Sequence, residues 1–155
     1  MPRVTRRRKF DASPPEVWRV VSDPHALPRW WPRTARVESV DQTSGGRRSR
    51  WTKVLETSRG RGVRADYRCT SAAENERYVW EQELDGTPFE KHLTKSSTEI
   101  SLKPSGGGTE VAITLRQTLR GLSRLGSPMM RGAAKRMLDD ALEGLAQATG
   151  EGRAQ

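Results

Sequence analysis

Apolar and polar positions alternate along most of the chain, and the spacing widens to that of a helix only near the start and at the end. Val4, Arg6, Arg8 and Phe10 share one face of a period-two pattern, which predicts a first strand over Arg3 to Phe10. Phe10 packed inward would carry Arg8 and Arg6 with it, and a buried guanidinium is costly unless paired. Arg8 is then either an anion or carbonyl anchor inside a cavity, or an arginine whose stem snorkels to the open end. Further strands are predicted over Arg33 to Gln42, Arg48 to Thr57, Val63 to Thr70, Tyr78 to Leu84, Phe89 to Lys103 and Glu110 to Leu119, with turn signals at Ser44-Gly45-Gly46, Gly60-Arg61-Gly62, Asp85-Gly86 and Pro104 to Gly108. Two details stay open. Trp51, Lys53 and Leu55 alternate with Thr52, Val54 and Glu56, so either set can face inward. Phe89 and Leu93 have opposite parity to Ile100 and Leu102, which calls for a bulge near Ser96-Ser97.

Between the first two strands, Ser13-Pro14-Pro15-Glu16 reads as a capping box with proline at the first helical position, Ser13 accepting from the Glu16 N–H. Asp23-Pro24 stops that short helix and caps a second turn, which Pro32 ends just after Trp30-Trp31. Ser127-Pro128 opens a final helix running to about Ala148, with Gly150 past its end. Met130, Ala134, Met137, Leu138, Ala141, Leu142, Leu145 and Ala148 form its apolar stripe, and Lys135 with Asp139 and Arg136 with Asp140 are spaced as solvent-side pairs. A rod of roughly 30 Å results, long enough to lie across a sheet. Consecutive hairpins make an antiparallel sheet whose apolar face must be covered, and this helix has the one stripe long enough to cover it. The fold class is therefore α+β: a curved antiparallel sheet of about seven strands wrapped around a long C-terminal helix, with two short helices between strands 1 and 2.

The stretch ASPPEVWRVVSDPHALPRWWP resembles the opening of the START-like or SRPBCC superfamily, in particular its polyketide cyclase/dehydrase-type branch. The Gly107-Gly108-Thr109 turn before a regular strand and the amphipathic last helix extend the resemblance over nearly the whole chain. It implies a helix-grip domain over residues 1–150, followed by a flexible tail at 151–155. It further implies that a hydrophobic small molecule, a lipid or a polyketide-like compound, is held between helix and sheet. Two other roles within the superfamily are a cyclase or dehydratase acting on such a ligand, and a co-chaperone-like or anionic-surface interaction module.

Composition narrows this picture. A length of 155 residues suits one domain with a single core. The lone Cys69 cannot form an internal disulfide, the basic start lacks the apolar run of a signal peptide, and no apolar stretch reaches bilayer length, so a soluble cytoplasmic protein is expected. A net charge of +9 attracts phosphate, leaving room for weak contact with an anionic membrane surface. The basic residues are nonetheless scattered from Arg3 to Arg153, which argues against a nucleic-acid face. A monomer or weak homodimer is expected.

As ligand wall, the candidates are Trp30, Trp31, Trp51, Tyr67, Trp80, Met130 and Met137, each of which also reads as ordinary core. For proton transfer or carbonyl polarisation, which family members of the cyclase type require, Arg8, Tyr67 and His92 are the candidates. His25, after Asp23-Pro24, is expected at the surface. One cysteine and two distant histidines make neither a metal site nor a triad, and no cofactor is implied.

Overall fold

A computed structural model describes residues 3–41, 49–56, 62–91, 93–119 and 127–150. Strand β1 (Arg3–Phe10) leads into helix α1 (Pro14–Val21), a 3-10 turn (Pro24–Ala26) and helix α2 (Leu27–Trp30). Strands β2 (Thr34–Asp41), β3 (Arg50–Glu56), β4 (Gly62–Ala73) and β5 (Arg77–Glu83) follow, then a 3-10 turn (Pro88–Lys91), β6 (Leu93–Ser105), β7 (Gly108–Leu119) and helix α3 (Ser127–Ala148). The seven strands form one antiparallel sheet in the order β1-β7-β6-β5-β4-β3-β2. The helix-grip arrangement follows: α3 lies against β1 and β7 and against α2, while α1 closes on β6 and β7.

Strict alternation explains the core. Val111, Ile113 and Leu115 of β7 and Ile100 and Leu102 of β6 are buried and share one core with Leu138, Ala141, Leu142, Leu145 and Ala146 of α3, while Thr98 and Leu119 are buried on the same strand faces. Gly108 lets β7 pass close to the Phe10 carbonyl, where any Cβ would collide, and the Thr109 hydroxyl donates to the Ala12 carbonyl at 2.7 Å. Those two contacts fix where the chain leaves β1 for α1. Gly144 does the same for the helices: the Trp30 carbonyl sits where its Cβ would be, so α2 rides directly on α3.

Several local expectations need correction. Ser13 makes no capping bond to a backbone N–H; its hydroxyl instead donates to the Glu16 carboxylate at 3.2 Å. Asp23 does cap its turn, accepting from the His25 N–H at 3.0 Å, and His25 is exposed. Phe89 belongs to a 3-10 turn rather than to a strand, packing on a small satellite cluster of Leu84, Leu93 and Leu119. The register shift in β6 accordingly lies between Leu93 and Lys95, not at Ser96-Ser97. Asp139 is engaged by Arg6 across the structure instead of by Lys135 one turn earlier. Among the described residues no helix is long and apolar enough to cross a membrane.

Candidate functional site

Register decides the inward face of β3. Trp51 pairs with Tyr67 of β4 and Lys53 with Ala65, and Trp51 and Lys53 are each 2 % exposed. Val54 is buried too, but on the other face, set between Arg36 and Arg64 in register, whose guanidinium groups converge on Glu38 at 2.6 and 2.7 Å. A buried residue on each face is what leaves the strand ambiguous when read alone.

On the inner face, cross-strand pairing and the end of α2 gather an aromatic cluster. Trp51 and Tyr67 stack with ring centroids 6.2 Å apart and planes within 10°. Trp80 of β5 stands edge-on to Trp51 at 6.0 Å and to Trp31 at 5.2 Å, and Trp30 packs on both Trp31 and Trp80. Tyr78 joins Trp51 and Trp80 to Trp18 of α1. The Lys53 Nζ lies 5.0 Å from the Trp31 ring centre and 4.4 Å from that of Tyr67. Trp31, Trp80, Trp51, Tyr67 and Lys53 therefore close a circuit, each member touching the next.

The electrostatics of this cluster are unusual. Burial alone lowers the Lys53 pKa from 10.5 to about 7, and among the described residues no carboxylate meets the ammonium. That displacement favours the neutral amine by about 5 kcal/mol relative to water. Two cation–π contacts contribute about 0.5–2 kcal/mol each, too little to offset it. Burial also pushes the pKa of Tyr67 up: the residue as a whole is half-buried, but its hydroxyl end lies deep. The Tyr78 phenol is raised as well, by burial first and then by Cys69, and its hydroxyl sits beside Cys69 and Ser49. Four further buried side-chain atoms, Trp30 Nε1, Trp51 Nε1, Thr34 Oγ1 and Gln82 Nε2, have no hydrogen-bond partner among the described residues.

At the β1 edge the inward arginines are paired. Arg6 holds Asp139 of α3 through two bonds of 2.8 and 3.1 Å, and Arg8 pairs with Glu143 while lying 5.8 Å over the Phe10 ring. The Arg8 hydrogen bond keeps the Glu143 carboxyl below its usual range.

Of the candidates named from sequence, Trp30, Trp31, Trp51, Tyr67 and Trp80 are brought together in one cluster. Met137 is half-buried and packs on the core from α3. Arg8 stands on β1, at the opposite edge of the strand order from the Lys53 end, and is 35 % exposed. His92 and the Met130 side chain lie outside the described residues. Two members of the cluster, Lys53 and Trp18, are not among the residues the sequence pattern singles out. The available signal was parity, since Lys53 follows Trp51 at the spacing of one strand face.

Comparison with known proteins agrees with this architecture. A START superfamily protein from Mycobacterium smegmatis superposes with a TM-score of 0.77 at 21% identity, covering 96% of this chain and 97% of its own. The Zhui aromatase/cyclase from Streptomyces sp. R1128 gives 0.77 at 17% identity, with 99% and 96% covered. A protein from Thermus thermophilus gives 0.75 at 22% identity, with 96% and 97% covered. At these identities the likeness is one of fold, the helix-grip fold of START proteins. No curated protein matches the chain in sequence. The sequence profile of the family described as polyketide cyclase / dehydrase and lipid transport matches residues 1–150, and the chain belongs to that family.

Proposed function

We propose that the protein binds a hydrophobic small molecule, of lipid or polyketide type, between the inner face of the sheet and α3. Trp30, Trp31, Trp51, Tyr67 and Trp80 form its wall, and Met137 of α3 supplies the adaptable side. The proposal treats the domain as cytoplasmic and monomeric or weakly dimeric. One observation carries it: the aromatic enclosure contains buried indole N–H groups that no described residue satisfies. A core that only packs is destabilised by about 1–3 kcal/mol for each such group, whereas a guest with oxygen atoms satisfies them. Mass spectrometry of molecules retained after gentle purification, with a melting-temperature screen over lipids and polyketides, tests the reading. A retained apolar compound that raises the melting temperature is expected. An empty protein that no compound stabilises would end it.

The second reading, a cyclase or dehydratase acting on that ligand, is favoured by Lys53, because an amine titrating near neutrality suits proton transfer. Incubation with a linear poly-β-ketone thioester should then give a cyclised product with the wild type and much less with Lys53→Met. Equal product from both proteins would remove Lys53 from the chemistry.

A further inference from the structure

Apart from the Tyr78 hydroxyl beside Cys69 and Ser49, the buried side-chain atoms without a partner among the described residues are the N–H groups of Trp30, Trp51 and Gln82 and the Thr34 hydroxyl, which can donate. Gln82 lies opposite Tyr67 in register and shares its strand face with Trp80 and Tyr78, and Thr34 lies opposite Leu55, on the Trp51–Lys53 side of β3. Lys53 adds an ammonium set against ring faces. An enclosure built from donors and one cation, with apolar walls, asks for a guest that is apolar in body and rich in acceptor oxygens. We propose that it takes an apolar molecule carrying an anionic oxygen, either a carboxylate or the ionised oxygen of an acidic phenol or enol, and seats that oxygen on the Lys53 Nζ. This rests on the binding reading above and names the class of ligand.

Three arguments support the assignment. First, the inward arginines of β1 each have an acid supplied by α3, so the chain provides a counter-charge where a cation is satisfied internally, and provides none among the described residues for Lys53. Second, a methionine or leucine on this face would pack without the penalty of burying an amine, so packing alone does not account for a lysine here. Third, an anion arriving at Lys53 meets no opposing negative charge: Trp31 of α2 is neutral, burial keeps the Tyr67 phenol of β4 protonated, and no charged group among the described residues contributes to the Lys53 shift. A charge-assisted bond to a desolvated ammonium is short, strong and directional.

The test is titration of the full chain, followed by tryptophan emission, with two matched pairs of probes: 9-anthracenecarboxylate against 9-anthracenemethanol, and alizarin against its dimethyl ether. The anionic member of at least one pair should bind about tenfold more tightly. Lys53→Met should erase that difference, and Lys53→Gln should erase it too if methionine repacks the wall. A preference confined to the anthracene pair assigns a carboxylate site, and one confined to the alizarin pair assigns a phenol or enol site. At pH 8, binding of the preferred anion should also take up a proton, seen as a dependence of calorimetric heat on buffer ionisation. Neutral and anionic members binding the wild type equally, or a preference that survives both substitutions, would overturn the assignment while leaving the binding reading intact. Failure of all four probes to bind would overturn both.

Discussion

Among the described residues the sheet presents cations to its inner face at two places, and it treats them in opposite ways. On β1, Arg6 and Arg8 reach the flank of α3 and are met there by Asp139 and Glu143, partly in contact with solvent. On β3, Lys53 is sealed beneath Trp31 and against Tyr67 with no described acid in reach. The first arrangement fastens an edge strand to the helix and changes little else. In the second, burial holds a charge where its ionised form is disfavoured. The difference teaches that a charged residue on an inward face is uninformative until its partner is known.

The largest effect expected from breaking the aromatic side is that of Trp80→Ala. Trp80 touches Trp30, Trp31, Trp51 and Tyr78, and truncation should cost about 3–5 kcal/mol of stability in urea melts, with loss of ligand binding. A variant as stable as wild type would mean that the cluster is not packed as described. Gly144→Ala comes next. Its new methyl group would collide with the Trp30 carbonyl, pushing α2 from α3 at a cost of about 2–3 kcal/mol, and binding should weaken although no ligand-wall side chain is altered. Unchanged stability would show that α2 yields freely.

Lys53→Met sharpens the comparison by its sign, since it should gain about 1–2 kcal/mol at pH 7. The folded pKa of about 7 lies below the unfolded 10.5, so between those values the unfolded chain binds the extra proton. The penalty on the wild type is complete below pH 7 and is relieved as pH rises toward 10.5, so the advantage of the variant should shrink over that window. An advantage that grew with pH would contradict a buried, unpaired amine. The smallest effect belongs to the rim. A double-mutant cycle on Arg6 and Asp139, both well exposed, should return a coupling near the limit of detection that fades with added salt. A large, salt-insensitive coupling there would erase the contrast between the two ends.

Much of this architecture is legible in the residues themselves. β1 runs from Arg3 to Phe10 as the alternation predicts, and β7 follows its apolar register because Val111, Ile113 and Leu115 alternate without interruption. Trp51, Tyr67 and Trp80 can be nominated from sequence because they are strand aromatics, and the helix-end pair Trp30-Trp31 because it lies between the short helices and the sheet. What local pattern does not supply is the identity of distant partners. Arg6 and Arg8 find their acids 133 and 135 residues away, so a conflict within β1 is settled only by α3. Lys53 is hidden because Val54, beside it, is buried under the Arg36–Glu38–Arg64 cluster of neighbouring strands, which blurs the alternation. The bulge of β6 departs from its expected place for a related reason: Phe89 serves a satellite cluster, and its parity says nothing about the strand that follows.

The chain has five tryptophans, and all five belong to one connected set of ring contacts around the enclosure. Ultraviolet emission from this protein is therefore emission from one aromatic cluster, with no indole elsewhere to dilute the signal. Excitation absorbed at Trp18 can migrate inward through Tyr78's neighbours to Trp31, whose face carries the Lys53 amine. Intensity and wavelength should therefore register the proton on that nitrogen, and the proposed guest where it binds, without any label.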